Sequence, residues 1–110
     1  MALAHAHPCE AIDIRPLRGA LGDAVTTSLI KTEHLQLMRL VLRAGAGLPE
    51  HHVAGEITIQ CIEGEAVVVT PSGTCPLAAG QVMLLPASMP HAVRAVTDAS
   101  LLVTVVLTPH

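Results

Sequence analysis

Histidine is the residue type in this sequence whose spacing offers the most chemistry. Two adjacent histidines, His51 and His52, stand just before the apolar run ITIQCI, and His91 follows a proline in the stretch LPASMPH. Imidazole is a common ligand of transition metals and a general base near neutral pH. We therefore consider three roles for these side chains: metal ligands, a catalytic base, and hydrogen-bonding groups of a pocket.

Partners for a catalytic histidine are hard to find in the sequence. Glu56 and Glu63 are the carboxylates we consider, but nothing in the spacing places either within reach of the His51 or the His91 imidazole. Ser72 falls in a turn, and Ser88 lies in a loop without the strained strand-to-helix turn that exposes hydrolase serines. The catalytic residues, if the protein is an enzyme, are therefore left unassigned.

The three cysteines, Cys9, Cys61 and Cys75, show no short spacing of the kind that binds metal. An odd count fits reduced thiols in a reducing compartment better than a disulfide framework, so we predict no bridge. Cys61 is expected to be a small core residue. His5 and His7 form a His-x-His pair near the amino terminus, and we interpret them as fortuitous metal binders at most.

Short strands must position these residues, because Gly and Pro interrupt the chain at short intervals between β-branched or leucine-rich runs. The run HLQLMRLVLR competes as a helix by propensity, but Gly45 and Gly47 truncate it and its neighbours are strands. The pattern predicts an all-β barrel or sandwich. We expect nine strands, near residues 12–17, 26–31, 35–43, 56–62, 66–70, 74–77, 82–85, 92–95 and 101–107.

Composition limits the function classes. A length of 110 residues predicts one domain over 1–110, of which residues 1–10 are expected to be a mobile arm. The formal net charge of −3 argues against nucleic acid or an anionic membrane as partner, and the apolar runs are too short to span a membrane, so a cytoplasmic protein is expected. Because Phe, Trp and Tyr are absent, any pocket must be aliphatic.

Over roughly residues 36 to 107 the motifs resemble those of the small single-domain cupins, of the RmlC-like, cupin 2 conserved barrel type. The first cupin motif is a Gly, five residues, His-x-His, a short gap, a Glu or Gln, six residues and a Gly. Gly45, the residues AGLPE, His51 and Gly64 fit its frame without a gap. The resemblance implies a jelly-roll β-barrel, or double-stranded β-helix, with little helix.

The second cupin motif is also present in part. Gly80, Pro86 and His91 fall in register with it, while Ser88 replaces a glycine and Ala95 replaces an asparagine. Two motifs in the right order, separated by a turn of about the right length, make the resemblance more specific than either motif alone. As for activity, the resemblance implies a metal-dependent enzyme, an isomerase or dioxygenase as many cupins are.

The cupin metal site implied by this resemblance consists of three His and one Glu or Gln, and two of its four positions are not filled here. His51 and His91 occupy two positions, whereas Val53 and Ile57 stand at the other two. Two imidazoles alone bind a divalent ion weakly. No cofactor is therefore firmly predicted.

Strand alternation leads to the same expectation from the residues themselves. If His51 faces the barrel interior, so do the residues an even number of positions away, which are Val53, Ile57, Ile59 and Cys61. His52, Glu56, Thr58 and Gln60 then face outward. A bulge at Val53-Ala54-Gly55 would change this register and bring His52 or Glu56 inward as further ligands, so a divalent transition metal at low occupancy stays an alternative.

The predicted function is the binding of a small-molecule ligand in an aliphatic barrel pocket with His51 and His91 at its mouth. A simpler interpretation is that these two imidazoles are neutral and bonded to each other, to backbone or to water. The metal-dependent cupin enzyme is the alternative function. The predicted pocket residues are His51, Val53, Ile57, Ile59, Cys61, Met89 and His91.

The last apolar run, Ser100 to Thr108, does not alternate as a strand between core and water should. Leu102, Thr104 and Val106 form a second face nearly as apolar as the first. An apolar outer face needs a cover, and no long helix is predicted to supply one. We therefore expect a homodimer packed through this face, with a second sheet of the same sandwich as the alternative cover.

Overall fold

Nine antiparallel strands form two facing sheets in the computed structural model, which describes residues 5–107. A 3₁₀ helix (Arg18–Asp23) precedes the strands. The β-branched and leucine-rich runs form strands because their side chains pack well on a pleated, half-buried surface. The strands are β1 (Thr27–Lys31), β2 (Leu35–Leu42), β3 (Gly47–His51), β4 (Ile57–Glu63), β5 (Glu65–Thr70), β6 (Gly73–Ala78), β7 (Val82–Leu85), β8 (His91–Ala95) and β9 (Ala99–Val106).

The strand order confirms the jelly-roll prediction. One sheet has five strands in the order β1-β2-β9-β4-β7, and the other has four in the order β3-β8-β5-β6. The core between the two sheets consists of aliphatic side chains and one thiol, and its largest fully buried members include Ile59, Leu85, Leu101 and Val68. The run HLQLMRLVLR contributes strand β2, not a helix.

Strand β4 shows the predicted alternation of burial. Ile57, Ile59 and Cys61 are buried, while the intervening Thr58 and Gln60 are only half-buried. At the end of β4, Gly64 turns the chain into β5 with a φ of +81°, a left-handed conformation that side chains disfavour. A Cβ atom at Gly64 would also overlap the carbonyl of Asp98, so the position requires glycine.

Two strand predictions were wrong. Residues 12–17 form no strand, and β3 lies in residues 47–51, where no strand was predicted. All five β3 residues are exposed, because this strand lies at a sheet edge and pairs only with β8, so it carries no hydrophobic alternation to recognise.

The segment at residues 13–24, here called the N-terminal segment, is held by side chains and not by a strand ladder. The carboxylate of Glu63 accepts hydrogen bonds from the backbone N–H groups of Leu17 (2.7 Å) and Arg18 (3.0 Å). The guanidinium of Arg39 donates to the carbonyls of Arg15 (3.0 Å) and Asp13 (3.5 Å). Backbone groups satisfied in this way need no neighbouring strand.

The N-terminal segment thereby covers part of the outer face of the five-stranded sheet. Arg39 lies on that face opposite Leu102 of β9, and the two residues are only 5% and 7% exposed. Arg43 of the same region donates to the carbonyls of Leu21 (3.2 Å) and Ala24 (3.3 Å). A non-helical segment of the same chain therefore covers part of this face, which is neither the second copy nor the second sheet that the sequence analysis considered as cover.

A mobile arm was predicted at residues 1–10. Residues 1–4 of this range lie outside the described residues. Ala6 donates its backbone N–H to the carbonyl of Leu29 (3.0 Å), and His5 Nε2 lies 2.8 Å from Ser28 Oγ, so this part of the chain contacts β1. Within residues 5–107, no helix is both long enough and apolar enough to cross a membrane.

Candidate functional site

A cavity of about 430 Å³ opens at one end of the barrel. Its mouth is formed where β2 and β4 begin, where β3 and β9 end, and where β8 begins, so residues distant in sequence meet there. The wall is aliphatic, as the absence of aromatic residues predicts. Its deeper part includes Met38, Leu40, Ile59, Val93 and Val103.

His51 and His91 face each other across this mouth. They are Cα partners in the antiparallel pair of β3 with β8, which places their side chains on the same face of the sheet. The ring centroids are 4.3 Å apart and the ring planes are inclined by 55°. His91 is 3% exposed, whereas His51 is exposed at the mouth.

A one-residue bulge in β3 produces this pairing. Leu48 pairs with Val93, and the next pair is His51 with His91, so β3 advances three residues where β8 advances two. Because side chains alternate along a strand, a regular ladder would have placed residue 50 opposite His91 and turned His51 away.

Pro49 lies within this bulge, at an edge strand, where the missing backbone N–H breaks no ladder hydrogen bond. Its carbonyl oxygen lies 3.0 Å from His51 Nδ1. In the same way, the carbonyl of Met89 lies 3.1 Å from His91 Nδ1. Each imidazole is therefore oriented by a carbonyl two residues before it.

The cavity contains five of the seven predicted pocket residues, namely His51, Val53, Ile57, Ile59 and His91. Cys61 and Met89 do not line it. Cys61 lies one inward position beyond Ile59 along β4, toward the other end of the barrel, and is fully buried. Met89 packs against the core, and its carbonyl oxygen contacts His91 Nδ1.

The buried Cys61 thiol has no basic neighbour to activate it. Its Sγ lies 3.5 Å from the carbonyl of Glu63 and 3.4 Å from that of Gly64. Burial raises the pKa of the Cys61 thiol, and the charges of Glu63 and Glu65 raise it further. All three cysteines are free thiols, so Cys61 is a small core residue and not a nucleophile.

Gln36 is a polar cavity residue that the sequence prediction missed. It is the second residue of β2 and lies on the inward face, paired with Val105, and its amide nitrogen donates to Ser28 Oγ at 2.9 Å. The available signal was a glutamine at an inward position of an otherwise apolar alternating run. That signal could be interpreted only once it was known which residues of β2 face the barrel interior.

A family model described as the cupin domain matches residues 38–107, from β2 to the end of β9. The chain belongs to the cupin family. Among curated proteins no match was found.

Two solved structures resemble this chain over most of its length. An RmlC-like cupin protein from Desulfovibrio desulfuricans is 30% identical, with 94% of this chain and 97% of that chain covered and a TM-score of 0.69. A conserved protein of unknown function from Streptococcus pyogenes is 21% identical, with coverages of 100% and 97% and a TM-score of 0.76. The second likeness shows the fold alone.

One similar structure is an enzyme. A mutant of salicylate 1,2-dioxygenase from Pseudoaminobacter salicylatoxidans is 22% identical, and the match covers 73% of this cupin but 25% of that chain, with a TM-score of 0.68. This likeness again shows the fold, because identity is low and three quarters of the enzyme's chain has no counterpart here.

Cupins often bind metal ions, so the donor set of this cavity can be tested against one. Val53 and Ile57 line the cavity at the positions where the cupin motif has ligands, and neither side chain has a donor atom. Among residues 5–107 no group of three or more His, Cys, Asp or Glu side chains is arranged to hold a metal ion. The residues present therefore do not fit the metal site of the family.

His52 and Glu56 do not complete the site. Both are exposed in the connection between β3 and β4, and neither lines the cavity. The bulge postulated at Val53-Ala54-Gly55 lies instead before His51, in β3, where it turns His51 inward and leaves His52 outside. The metal role suggested for His52 and Glu56 thus finds no support in the geometry.

Proposed function

We propose that this cupin binds a small, largely apolar molecule directly in the barrel cavity, with His51 and His91 as its polar contacts at the mouth. This proposal rests on a cavity of about 430 Å³, whose wall is aliphatic and whose few polar groups converge at one end. Ligand pockets typically have this size and this distribution of polar groups.

Fragment binding observed by proton NMR tests this function. Because the chain has no Phe, Trp or Tyr, the only carbon-bound aromatic protons are those of histidine, so aromatic fragments can be followed with little overlap once the amide protons have exchanged in D₂O. We expect fragments of one ring to bind and to shift the methyl signals of Ile57, Ile59 and Val103.

A cavity-filling variant provides the control. Val103→Phe occupies the cavity and should weaken fragment binding at least about tenfold, which corresponds to about 1.4 kcal/mol. Val69→Phe adds the same ring at an exposed position of β5, outside the cavity, and should bind fragments like the wild type. Equal binding by both variants would show that the cavity is not the binding site.

A metal-dependent enzyme of the isomerase or dioxygenase type is the second candidate. The supporting observation is that both imidazoles direct Nδ1 toward a backbone carbonyl, as metal-ligating histidines usually do. Val53 and Ile57 argue against it, because a third and a fourth ligand are needed. We therefore rank direct ligand binding first.

A further inference from the structure

The hydrogen bonds of His51 and His91 define which nitrogen of each ring is available to a ligand. A carbonyl oxygen can only accept, so Nδ1 of His51 must carry the hydrogen shared with Pro49, and Nδ1 of His91 the hydrogen shared with Met89. In a neutral imidazole the other nitrogen then has the lone pair. Within the described part of the chain neither Nε2 atom has a hydrogen-bond partner, so both are free acceptors.

The third polar side chain of the cavity also offers an acceptor. The amide nitrogen of Gln36 donates to Ser28 Oγ at 2.9 Å, and among residues 5–107 its side-chain oxygen has no hydrogen-bond partner. Ser28 Oγ also lies 2.8 Å from His5 Nε2, which holds this arrangement from outside the barrel. The mouth of the cavity is therefore richer in acceptors than in donors.

The cavity wall contains no permanently charged side chain. Among residues 5–107, no Lys, Arg, Asp or Glu side chain lines it. Beside neutral imidazoles, an anion or a cation placed there would lose its hydration without gaining an opposite charge. The wall accordingly favours an uncharged guest.

From these observations, and resting on the proposed function, we infer the chemical class of the ligand. It is a neutral molecule with an apolar body and a hydrogen-bond donor, such as a hydroxyl group, that donates to Nε2 of His51 or His91. The apolar body lies against Leu40, Ile59 and Val103, and the hydroxyl lies at the mouth. A carboxylate of the same shape is excluded by its charge, and a hydrocarbon of the same shape leaves the acceptors unpaired.

Three probes that share one benzene ring and differ in its substituent separate these cases: phenol, toluene and benzoate. Dissociation constants are measured by NMR titration at about pH 8, above the ordinary pKa of imidazole. Phenol should bind about tenfold more tightly than toluene, the amount that one hydrogen bond of about 1.4 kcal/mol provides, and benzoate should bind least.

Variants of three histidines locate the acceptor. His51→Phe and His91→Phe each keep a ring of similar size and remove one Nε2, so phenol should lose most of its advantage over toluene in one of these two variants. His52→Phe makes the same change one residue after His51, outside the cavity, and should keep that advantage. As a measurement independent of any variant, the Nε2 nitrogen resonance of His51 or of His91 should shift on addition of phenol and not of toluene.

The outcomes separate this inference from the proposed function. Equal binding of phenol and toluene, or tightest binding of benzoate, overturns the inferred ligand class while the cavity remains a binding site. Phenol binding that leaves both Nε2 resonances unchanged also overturns it. If none of the three probes binds the wild-type protein, the proposed cavity function itself is wrong.

Discussion

At the scale of single residues, Ile59 and Thr58 are neighbours on β4 that face opposite sides of the sheet. Ile59 is 2% exposed and lines the cavity, whereas Thr58 lies half-buried on the outer face. We expect Ile59→Asp to lower the free energy of unfolding by more than about 3 kcal/mol, because it buries an unpaired charge. Thr58→Asp should cost less than about 1 kcal/mol. Chemical denaturation measures both, and equal tolerance would contradict the assigned orientation of β4.

The Cys61 thiol provides a second residue-level prediction. Since burial raises its pKa, Cys61 in the folded protein should react with iodoacetamide far more slowly than the exposed Cys9, as mass spectrometry of labelled peptides would show. Labelling of Cys61 at the rate of Cys9 in the native state would contradict its burial. Labelling in denaturant, where both should react alike, is the control.

The same pKa shift predicts a pH dependence of stability. A folded-state pKa above the unfolded value means that the unfolded thiol ionises first as pH rises. The contribution of Cys61 to stability is therefore complete below the ordinary thiol pKa of about 8.5 and decreases as pH rises above it. Cys61→Ala should be less stable near neutral pH but should lack this decrease.

Individual site residues were predictable where a motif or strict alternation specified them. The motif spacing identified His51 and His91, and the period of two along β4 identified Ile57 and Ile59 as inward residues. Cys61 satisfies the same alternation, yet it lies outside the cavity, because periodicity gives the face of a residue and not its depth along the barrel. Gln36 was missed because a polar residue in an apolar run gives no indication of which sheet face it joins.

At the scale of elements, the bulge in β3 decides which side chain reaches the cavity. A sequence with Gly47, Pro49 and no apolar alternation contains too little hydrophobic pattern to predict a strand, and a bulge is defined by its partner strand. The pairing with β8 was therefore accessible only from the three-dimensional structure. The other eight strands have apolar runs of their own, and their predicted positions agree with the structure within a few residues.

The N-terminal segment depends on Glu63, and this dependence can be tested. Glu63→Gln leaves one acceptor where the carboxylate offered two charged ones, so we expect a loss of about 1–2 kcal/mol in the free energy of unfolding. Hydrogen exchange at the amides of Leu17 and Arg18 should become faster. The exposed Glu65, whose carboxylate makes no such contact, supplies the control Glu65→Gln. Similar exchange in both variants would mean that Glu63 does not hold the segment.

At the scale of the whole molecule, a homodimer packed through the five-stranded sheet stays a prediction, but different residues are now expected to form its interface. Leu102 is buried within a single chain, so it no longer argues for a partner. Val82 and Leu84, on the outer face of β7, are 61% and 58% exposed and leave an apolar edge beyond the part covered by the N-terminal segment.

We therefore propose a homodimer that buries Val82 and Leu84. Light scattering with refractive-index detection suits a chain without Trp or Tyr, and it should give twice the chain mass of 11.4 kDa at micromolar concentration. Val82→Glu combined with Leu84→Glu should yield a folded monomer, because both side chains already face away from the core. A wild-type protein that stays monomeric at this concentration would show that the proposed homodimer is wrong.

The metal content of the purified protein tests whether this cupin binds its ligand without a metal ion. Val53 and Ile57 leave two imidazoles where a cupin metal site needs four ligands, so protein purified without an affinity tag should contain clearly less than one tightly bound transition metal per chain by elemental analysis. Near-stoichiometric metal that survives dialysis against a chelator, and that disappears in His51→Ala and in His91→Ala, would contradict binding without a metal ion.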